Sequence, residues 1–416
     1  MGNSQADPPQ RGERLRPWDA FRYRDYRILW GASVTTALVF WIRVLATSQW
    51  LFEETGSAAQ LGFIGVVQLF VQFPALIYGG TLADHIDRKR LMFFASAIPL
   101  TTMLALGLMD ASGALNIWIM YVAIAILAAA QMVAQPARSA MIPAVVPENR
   151  LMLAITTDTA SQNAASIVGP LIFAVVAGMF GLTTTFFVAA VLSLPATAMP
   201  LMIRTLGRAV GGTGGSMITS TWEGFRFVVK HPILPGLFLL DTGNTVVSFY
   251  REILPVMASG LFRGGAGATG VLGAANSAGA MGGAFFALFL SGYRAKGMLV
   301  LYASMAYGVF LFGFGSVNTL WLGAVMIGLL GASDSVTVAV RQTTVQLTTP
   351  DHMRGRAYAF MIMAAQTANN VGTIWVGFWA AAIGAGNTMV LGGVISLVAT
   401  VIIWRVWRPI REYRYP

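Results

Sequence analysis

The sequence predicts an all-α membrane protein whose twelve transmembrane helices form two parallel six-helix repeats, with both termini in the cytoplasm. Three observations support this fold class: the composition, the number of apolar stretches, and the side on which the basic residues fall. Of the 416 residues, 56% are hydrophobic and only 11% are charged, whereas a soluble domain has about 25% charged residues. The chain has no cysteine, which excludes disulfides and cysteine-based metal sites, and no metal centre is expected.

Twelve apolar stretches follow one another along the chain. Each is close to or above the roughly 20 residues that a helix needs to cross a bilayer. They are residues 25–51, 60–83, 91–110, 115–137, 151–179, 182–203, 233–257, 268–291, 298–316, 319–340, 355–382 and 387–407. We expect each stretch to span the membrane once as a helix.

The basic residues alternate with these stretches. All 27 lysines and arginines except Arg43, Arg251 and Arg263 precede the first stretch, follow an even-numbered stretch, or end the chain. Because loops rich in Lys and Arg stay in the cytoplasm, both termini and every even-numbered loop are predicted to be cytoplasmic. The net charge of +10 is therefore interpreted as a topology signal, and the expected partner is the lipid bilayer rather than nucleic acid.

The longest polar interval divides the stretches six and six. It is glycine-rich at first and then amphipathic, which predicts a flexible linker followed by a helix on the cytoplasmic surface. The predicted parts are a cytoplasmic tail, a six-helix bundle, a central cytoplasmic loop, a second six-helix bundle and a second tail, at residues 1–24, 25–204, 205–231, 232–408 and 409–416.

The two halves are also related in sequence. When the two halves are aligned with an offset of 203 residues, Arg138 corresponds to Arg341 and Gln131 corresponds to Asp334. Since each half has an even number of stretches, the two repeats share one orientation. Parallel six-helix repeats are typical of a rocker-type secondary transporter.

Between the second and third stretches, residues 80–90 form a dense cluster of charges. Such a cluster cannot lie in hydrocarbon, where each charge costs several kcal/mol. It must form a tight loop at one membrane face. Glycine for close packing, together with charges of both signs, indicates a polar clamp between helices that move against each other.

This loop resembles the signature of the major facilitator superfamily, which is glycine, three residues, aspartate, a basic residue, any residue, glycine, arginine and a basic residue. Gly80, Asp84, Arg88 and Lys89 match it, while His85 and Asp87 depart from it. Further segments resemble the drug-proton antiporter branch that holds macrolide efflux pumps and enterobactin-type siderophore exporters. These segments are residues 55–58, 136–140, 224–227 and 349–356.

The resemblance implies a cytoplasmic gate. In it, Asp84 would pair with Arg138 and with the inner end of the other half, and so close the inner side when the protein faces outward. The alternative is that the basic residues only anchor the helix ends. The residues assigned to the gate are Gly80, Asp84, Arg88, Lys89, Arg138 and Arg341.

Polar residues recur at helical spacing within several stretches, which predicts a central aqueous cavity, although amides in spans also form ordinary interhelical hydrogen bonds. Three carboxylates are the candidates for proton coupling: Asp334 first, then Asp241, then Asp158. The candidates for contact with substrate are Arg43, Gln68, Gln72, Gln131, Gln162, Asn244, Ser248, Gln366 and Asn369.

Three charged residues within the spans call for a specific explanation. Arg43 lies near the middle of the first span, where it either pairs with an acid such as Asp158 or Asp334 or contacts an anionic or electron-rich substrate. Arg251 and Glu252 are expected near the outer interface, in an outer gate or reaching toward water.

The function expected from the sequence is secondary active export of an amphipathic small molecule, such as a drug or a siderophore, across the inner (plasma) membrane. A proton gradient is the expected energy source and no cofactor is expected, since no GxxxxGK[ST] nucleotide-binding loop occurs. An importer or a lipid- or lysolipid-handling transporter on the same scaffold is the alternative, and a receptor is a third. An enzyme is not expected, because the spans lack a nucleophile or metal-ligand set. The transporter is expected to act as a monomer.

Overall fold

The computed structural model describes residues 18–205, 217–290 and 292–415, without the side chains of 76–85, 217–221, 351, 352 and 359. Every regular element in these ranges is a helix. The α-helices are α1 Arg24–Thr55, α2 Ala58–His85, α3 Arg88–Ala111, α4 Ile117–Val145, α5 Glu148–Ala198, α6 Met217–Lys230, α7 Leu234–Ser248, α8 Leu254–Gly260, α9 Ala266–Phe289, α10 Lys296–Ser316, α11 Leu320–Thr348, α12 Asp351–Ile383, α13 Ala385–Val406 and α14 Arg408–Glu412. Short 3-10 helices occupy Asp19–Arg22, Met199–Met202 and Arg251–Ile253.

Nine helical segments of the described chain are long and apolar enough to cross a membrane. One of them, Glu148–Met202, is 55 residues long and holds two of the predicted stretches. Its α-helix α5 changes direction at Gly181, where φ is 82° and ψ is 174°, a backbone conformation that glycine adopts far more readily than other residues. The predicted boundary between residues 179 and 182 therefore coincides with this break.

The seventh predicted stretch, 233–257, is not one continuous helix. It consists of α7, the 3-10 helix Arg251–Ile253 and α8. Pro255 lies in the first turn of α8, where its missing N–H leaves no hydrogen bond unmade. The break places a short non-helical segment, Phe249 and Tyr250, in the middle of the stretch.

Two helices continue beyond their predicted ends. The fourth stretch was predicted to end at 137 and the tenth at 340, but α4 runs to Val145 and α11 to Thr348. Arg138 and Arg341 therefore lie inside helices rather than in the loops that follow. Each arginine has a polar partner within the protein, so the helix need not end at its first charge.

The helices pair in the same way in both halves. In the first half, α1 packs on α5, α2 on α4, and α3 on α5; in the second half, α7 packs on α12, α9 on α11, and α10 on α13. The two halves meet where α5 packs on α9 and where α2 packs on α12. A cavity can form between these two inter-half contacts.

Small residues form both inter-half contacts, which we call the glycine seams. A Cβ added to Gly62 of α2 would lie 3.1 Å from Cα of Gly377 in α12. A Cβ added to Gly270 of α9 would lie 2.5 Å from the carbonyl oxygen of Pro170 in α5. Only residues this small allow two helix backbones to approach so closely.

Two hydrogen bonds between side chains also join the halves. Asn370 Nδ2 donates to Gln72 Oε1 at 2.8 Å, and Thr269 Oγ1 donates to Gln49 Oε1 at 2.8 Å. Each lies beside a glycine seam, the first between α12 and α2 and the second between α9 and the end of α1.

In each half, a helix precedes the first long helix and docks on the start of another. In the first half Arg150 at the start of α5 forms a 3.0 Å ion pair with Asp19. In the second half Arg356 near the start of α12 forms an ion pair with Glu223 of α6. His231, after α6, accepts hydrogen bonds at Nδ1 from the first backbone N–H groups of α7. Burial lowers the pKa of His231, which favours the neutral ring that can accept them.

Candidate functional site

A cavity of about 270 Å³ lies among α7, α9 and α11 and reaches α1 and α12. Its walls combine carboxylates, arginines, hydroxyls and aromatic rings. The lining residues are Trp41, Asp241, Thr245, Ser248, Phe249, Tyr250, Arg251, Leu254, Gly273, Asn276, Ala280, Tyr307, Leu330, Gly331, Asp334, Val338, Arg341, Ala365 and Asn369.

An ion pair crosses one wall of this cavity. Arg341 of α11 contacts the carboxylate of Asp241 in α7, and both side chains are buried. A buried ion pair adds little net stability, because desolvation of the two charges offsets their attraction, but removal of one partner leaves the other charge uncompensated. The pair therefore ties α7 to α11 in this arrangement. Asp241 is a predicted proton-coupling residue and Arg341 a predicted gate residue, and the structure brings the two together.

Asp334 differs from Asp241 in its surroundings. It lies on α11 about two turns before Arg341, and its side chain faces the cavity together with Tyr250 and Tyr307. Within the described part of the chain, no basic side chain forms an ion pair with Asp334. An ionised carboxylate at this depth lacks a counter-ion, so its charge is stabilised only by water in the cavity and by nearby dipoles.

Hydroxyl groups connect the cavity walls. The hydroxyls of Ser248 and Tyr307 share a hydrogen bond between α7 and α10, and Ser248 Oγ also donates to the carbonyl of Asn244 at 2.6 Å. Asn276 Nδ2 donates to the carbonyl of Ile327 at 3.2 Å and joins α9 to α11. These contacts fix the side of the cavity that carries Asp334.

On the α1 side of the cavity, two arginines lie among aromatic rings. We define the arginine–aromatic cluster as Phe40, Trp41, Arg43, Phe249 and Arg251. Cζ of Arg251 lies 5.0 Å from the ring centroid of Phe249 and 5.2 Å from that of Trp41. Cζ of Arg43 lies 5.1 Å from the ring centroid of Phe40. Cation–π attraction therefore holds both guanidinium groups.

Arg43 forms no ion pair with an acid in the part of the chain that the structure describes. Its side chain is buried, and Nη2 donates to Gln131 Oε1 at 3.4 Å. Among the described residues, Asp158 and Asp334 form no ion pair with it. Of the two explanations that the sequence allowed, the structure does not support pairing with an acid.

Arg251 and Glu252, which are expected in an outer gate or reaching toward water, face the interior of the protein, and their role in an outer gate stays a prediction. Arg251 lines the cavity, and Glu252 is 4% exposed, with Thr373 Oγ1 donating to its Oε2 at 3.3 Å. The cause is the break after α7. The non-helical segment and the 3-10 helix turn both side chains toward the interior.

The first half contains a different polar network. Arg138 Nη2 donates to Gln162 Oε1 at 3.1 Å, and Gln162 Nε2 donates to Asp158 Oδ2 at 2.6 Å. Asp158 is buried, and these contacts link α4 to α5.

The loop predicted at residues 80–90 is shorter than expected, because α2 runs to His85 and α3 begins at Arg88, and its residues are placed only in part. Gly80 and Asp84 lie near the end of α2, but their side chains lie outside the described residues. Arg88 Nη1 donates to the carbonyl of Ala140 at 3.3 Å, and Lys89 Nζ donates to the carbonyl of Ile203 at 3.2 Å. Both basic residues thus join the start of α3 to backbone of the first half.

Most of the amides predicted for the cavity lie elsewhere. Ser248 and Asn369 line it. Asn244 accepts a 2.7 Å hydrogen bond from Ser396, and Gln366 accepts one of 3.3 Å from Asn369. The remaining candidates, which are also absent from the cavity wall, are Arg43, Gln68, Gln72, Gln131 and Gln162.

The sequence did not predict that Asn276 and Tyr307 would line the cavity. Asn276 follows a run of small residues, and Tyr307 lies in a largely apolar stretch, with Ser304 as a polar neighbour at helical spacing. A tyrosine in the middle of a span is a usable signal, because its hydroxyl needs a hydrogen-bond partner there.

Comparison with known proteins gives relatives along the whole fold. A family model described as transmembrane secretion effector matches residues 15–413. The curated protein enterobactin exporter EntS of Escherichia coli O139:H28 is 25% identical over 383 residues, which cover 86% of each chain. The same protein of Shigella boydii serotype 18 matches equally well.

Solved structures of transporters share the fold at low sequence identity. The nucleoside transporter NupG has a TM-score of 0.78 and 11% identity, and covers 92% of this chain and 99% of its own. A peptide transporter POT in complex with alafosfalin has a TM-score of 0.76 and 11% identity, and covers 98% of each chain. A bacterial homolog of the lysosomal transporter Spinster has a TM-score of 0.69 and 14% identity, with 94% and 98% covered.

Proposed function

Because the chain belongs to the transmembrane secretion effector family of the major facilitator superfamily, we propose that it exports an amphipathic small molecule in exchange for protons. The family and the relatives are membrane transporters and not enzymes. The observation that carries the proposal is the similarity to enterobactin exporters across 86% of both chains. The substrate we propose is siderophore-like or drug-like, and the site of action is the inner (plasma) membrane.

We propose twelve transmembrane helices in two parallel six-helix repeats, residues 25–204 and 232–408, with both termini cytoplasmic. The matched helix pairs of the two halves support this arrangement. Two further contacts support it, because each joins segments that the proposed topology puts on the cytoplasmic side. Lys89, at the start of α3, contacts Ile203, and Trp407, at the end of α13, contacts Pro232. The tails, 1–24 and 409–416, and the central loop, 205–231, complete the proposed division.

The places where the halves touch support a mechanism of alternating access. In the proposed topology, both glycine seams lie toward the outer side, since α2 begins there and Gly62 is near its start. The state described is therefore closed outside. Rocking about the cavity would open the seams and bring the cytoplasmic ends together, where Asp84, Arg88 and Lys89 would act as the gate. A single chain contains both halves, so we propose a monomer.

Proton coupling is assigned first to Asp334, because it faces the cavity and forms no ion pair with any basic side chain that the structure describes. Asp241 is the second candidate, since its ion pair with Arg341 must loosen before it can bind a proton. Asp158 is the third, because its hydrogen bond with Gln162 lies in the other half.

Transport by the purified full chain in proteoliposomes tests the proposal. Counterflow of a candidate substrate, measured without a pH gradient, reports exchange alone. An imposed pH gradient should then drive uphill accumulation, and a proton ionophore should abolish it. If a panel of siderophores, macrolides and other lipophilic compounds shows neither counterflow nor gradient-driven movement, the export proposal fails.

A further inference from the structure

The arginine–aromatic cluster narrows the class of substrate. We propose that the exported compound is an anionic aromatic molecule, whose negative group lies between the guanidinium groups of Arg43 and Arg251. This inference rests on the proposed export function and concerns the same cavity. It is carried by unused hydrogen-bond donors, by the position of the cluster, and by its aromatic walls.

Arg43 has far more donors than partners. A guanidinium carries five N–H donors, and Gln131 is its one hydrogen-bond acceptor among the residues that the structure describes. The side chain is 8% exposed. A cation held in the membrane interior is costly, and residues of this kind mark substrate pathways. An anionic ligand would supply the missing acceptors.

Arg251 is similarly unsatisfied and faces the cavity directly. In the described ranges it forms neither an ion pair nor a hydrogen bond, and its neighbours are the rings of Trp41 and Phe249. Glu252 follows it in the chain but does not form an ion pair with it. The fork of N–H donors on the guanidinium matches the two oxygens of a carboxylate.

Phe40 joins the two arginines. Cζ of Arg43 is 5.1 Å from its ring centroid, and Cζ of Arg251 is 6.0 Å from the same point. Arg341, on the cavity wall, is already paired with Asp241. The two arginines of the cluster, which form no ion pair among the described residues, both lie on the α1 side. An aromatic ligand would stack on the rings while its negative group met the guanidinium edges. A cationic ligand would meet two like charges there.

A matched series of probes isolates the charge. The compounds 2-naphthoate, 2-naphthamide and 2-naphthylmethylamine share one ring system and are negative, neutral and positive at pH 7. Equilibrium dialysis with the purified full chain in nanodiscs measures their affinities. We expect the anion to bind roughly tenfold or more tightly than the amide, since a hydrogen bond to a charged group contributes about 1.5–3 kcal/mol, and the amine to bind most weakly.

Variants then locate the effect. Arg251→Gln and Arg43→Gln should each reduce the affinity for 2-naphthoate roughly tenfold and leave the affinity for 2-naphthamide unchanged. Arg43→Lys keeps the charge but loses the forked donors of the guanidinium. Its affinity for 2-naphthoate should lie between those of the unmodified chain and Arg43→Gln. The control is Arg263→Gln, an exposed arginine outside the cluster, which should change nothing.

Equal binding of the three probes by the unmodified chain would overturn the inference, as would folded Arg251→Gln that keeps its preference for the anion. If Arg43→Gln does not fold, Arg251→Gln and the probe series still decide. Counterflow of neutral or cationic compounds with no preference for anions would leave export standing and refute only the inference. Absence of counterflow for every compound would refute export itself.

Discussion

The two halves place an arginine at the same repeat position but surround it differently. Arg138 in the first half donates to a neutral amide, Gln162, whereas Arg341 in the second half forms an ion pair with Asp241. The repeat pair next to them differs in the same sense, since Gln131 in the first half corresponds to Asp334 in the second. The two halves therefore share their helix arrangement, while the carboxylates that line the cavity lie in the second half.

The peripheral contacts show the opposite distribution. Both halves dock a preceding helix on a later one through an arginine and an acid. The Asp19–Arg150 pair of the first half is buried, whereas the side chains of Arg356 and Glu223 in the second half are 44% and 41% exposed. The buried ion pair described for the first half, Asp19–Arg150, thus lies at the ends of its helices. The one described for the second half, Asp241–Arg341, lies at the cavity.

The largest effect is expected at the two repeat-related arginines. Arg341→Ala leaves the buried Asp241 without its partner and should reduce the free energy of unfolding by about 3–5 kcal/mol. Arg138→Ala removes hydrogen bonds to neutral amides and should lower it by about 1.5–3 kcal/mol. Chemical denaturation of each variant in detergent measures the difference. Similar losses for both variants would mean that the halves are energetically equivalent here.

Asp334 provides the functional form of the same comparison. Asp334→Asn should abolish uphill accumulation driven by a pH gradient and preserve counterflow, because exchange alone requires no net proton movement. Asp158→Asn, in the first half, should leave gradient-driven transport largely intact. Gradient-driven transport that survives replacement of Asp158, Asp241 and Asp334 together by asparagine would rule out coupling through these acids.

A smaller effect is expected where the halves meet. Gly270→Val would force a side chain against Pro170 and Ala174, and overpacking of this kind costs about 1–3 kcal/mol. Because the strain exists only while the seam is closed, the variant should shift the protein toward the open seam. Spin labels on α5 and α9 would report a longer distance. Gly282→Val, on the same helix with open space around it, is the control and should leave the distance unchanged.

The smallest difference separates the two peripheral ion pairs. Glu223→Gln should change the free energy of unfolding by less than about 1 kcal/mol, because exposed ion pairs contribute little. Asp19→Asn should cost about 1–3 kcal/mol, since it weakens contacts made by a buried arginine. Denaturation in low and high salt measures both, and salt should affect the exposed pair more. A larger loss for Glu223→Gln would reverse the comparison.

Much of the architecture was predictable because lipid imposes a simple rule. An uninterrupted apolar stretch must form a helix to satisfy its backbone, so most stretch boundaries agree with helices. The break of α5 at Gly181 was also predictable, because the sequence shows a boundary between two apolar stretches there. The family was predictable from a handful of residues in the 80–90 loop, because close packing and charge leave few alternatives there.

The site was less predictable, since contacts between distant helices decide it. Nothing in the sequence around Phe249 and Tyr250 marks a helix break except Pro255, so the inward direction of Arg251 and Glu252 was not predicted. The ends of α4 and α11 were misplaced because Arg138 and Arg341 find polar partners on other helices. Asn276 and Tyr307 became visible only once α9 and α10 were brought to one cavity.

The close packing of the glycine seams also affects how well the closed protein can exclude water and protons. Attraction between closely packed backbones falls steeply with distance, and a gap of 0.5–1 Å already removes about a quarter to a half of it. Such a contact is either shut and dry or fully parted, with little between. The proton-driven export proposed here would need this property, because a slightly open seam would admit water and let protons cross without substrate.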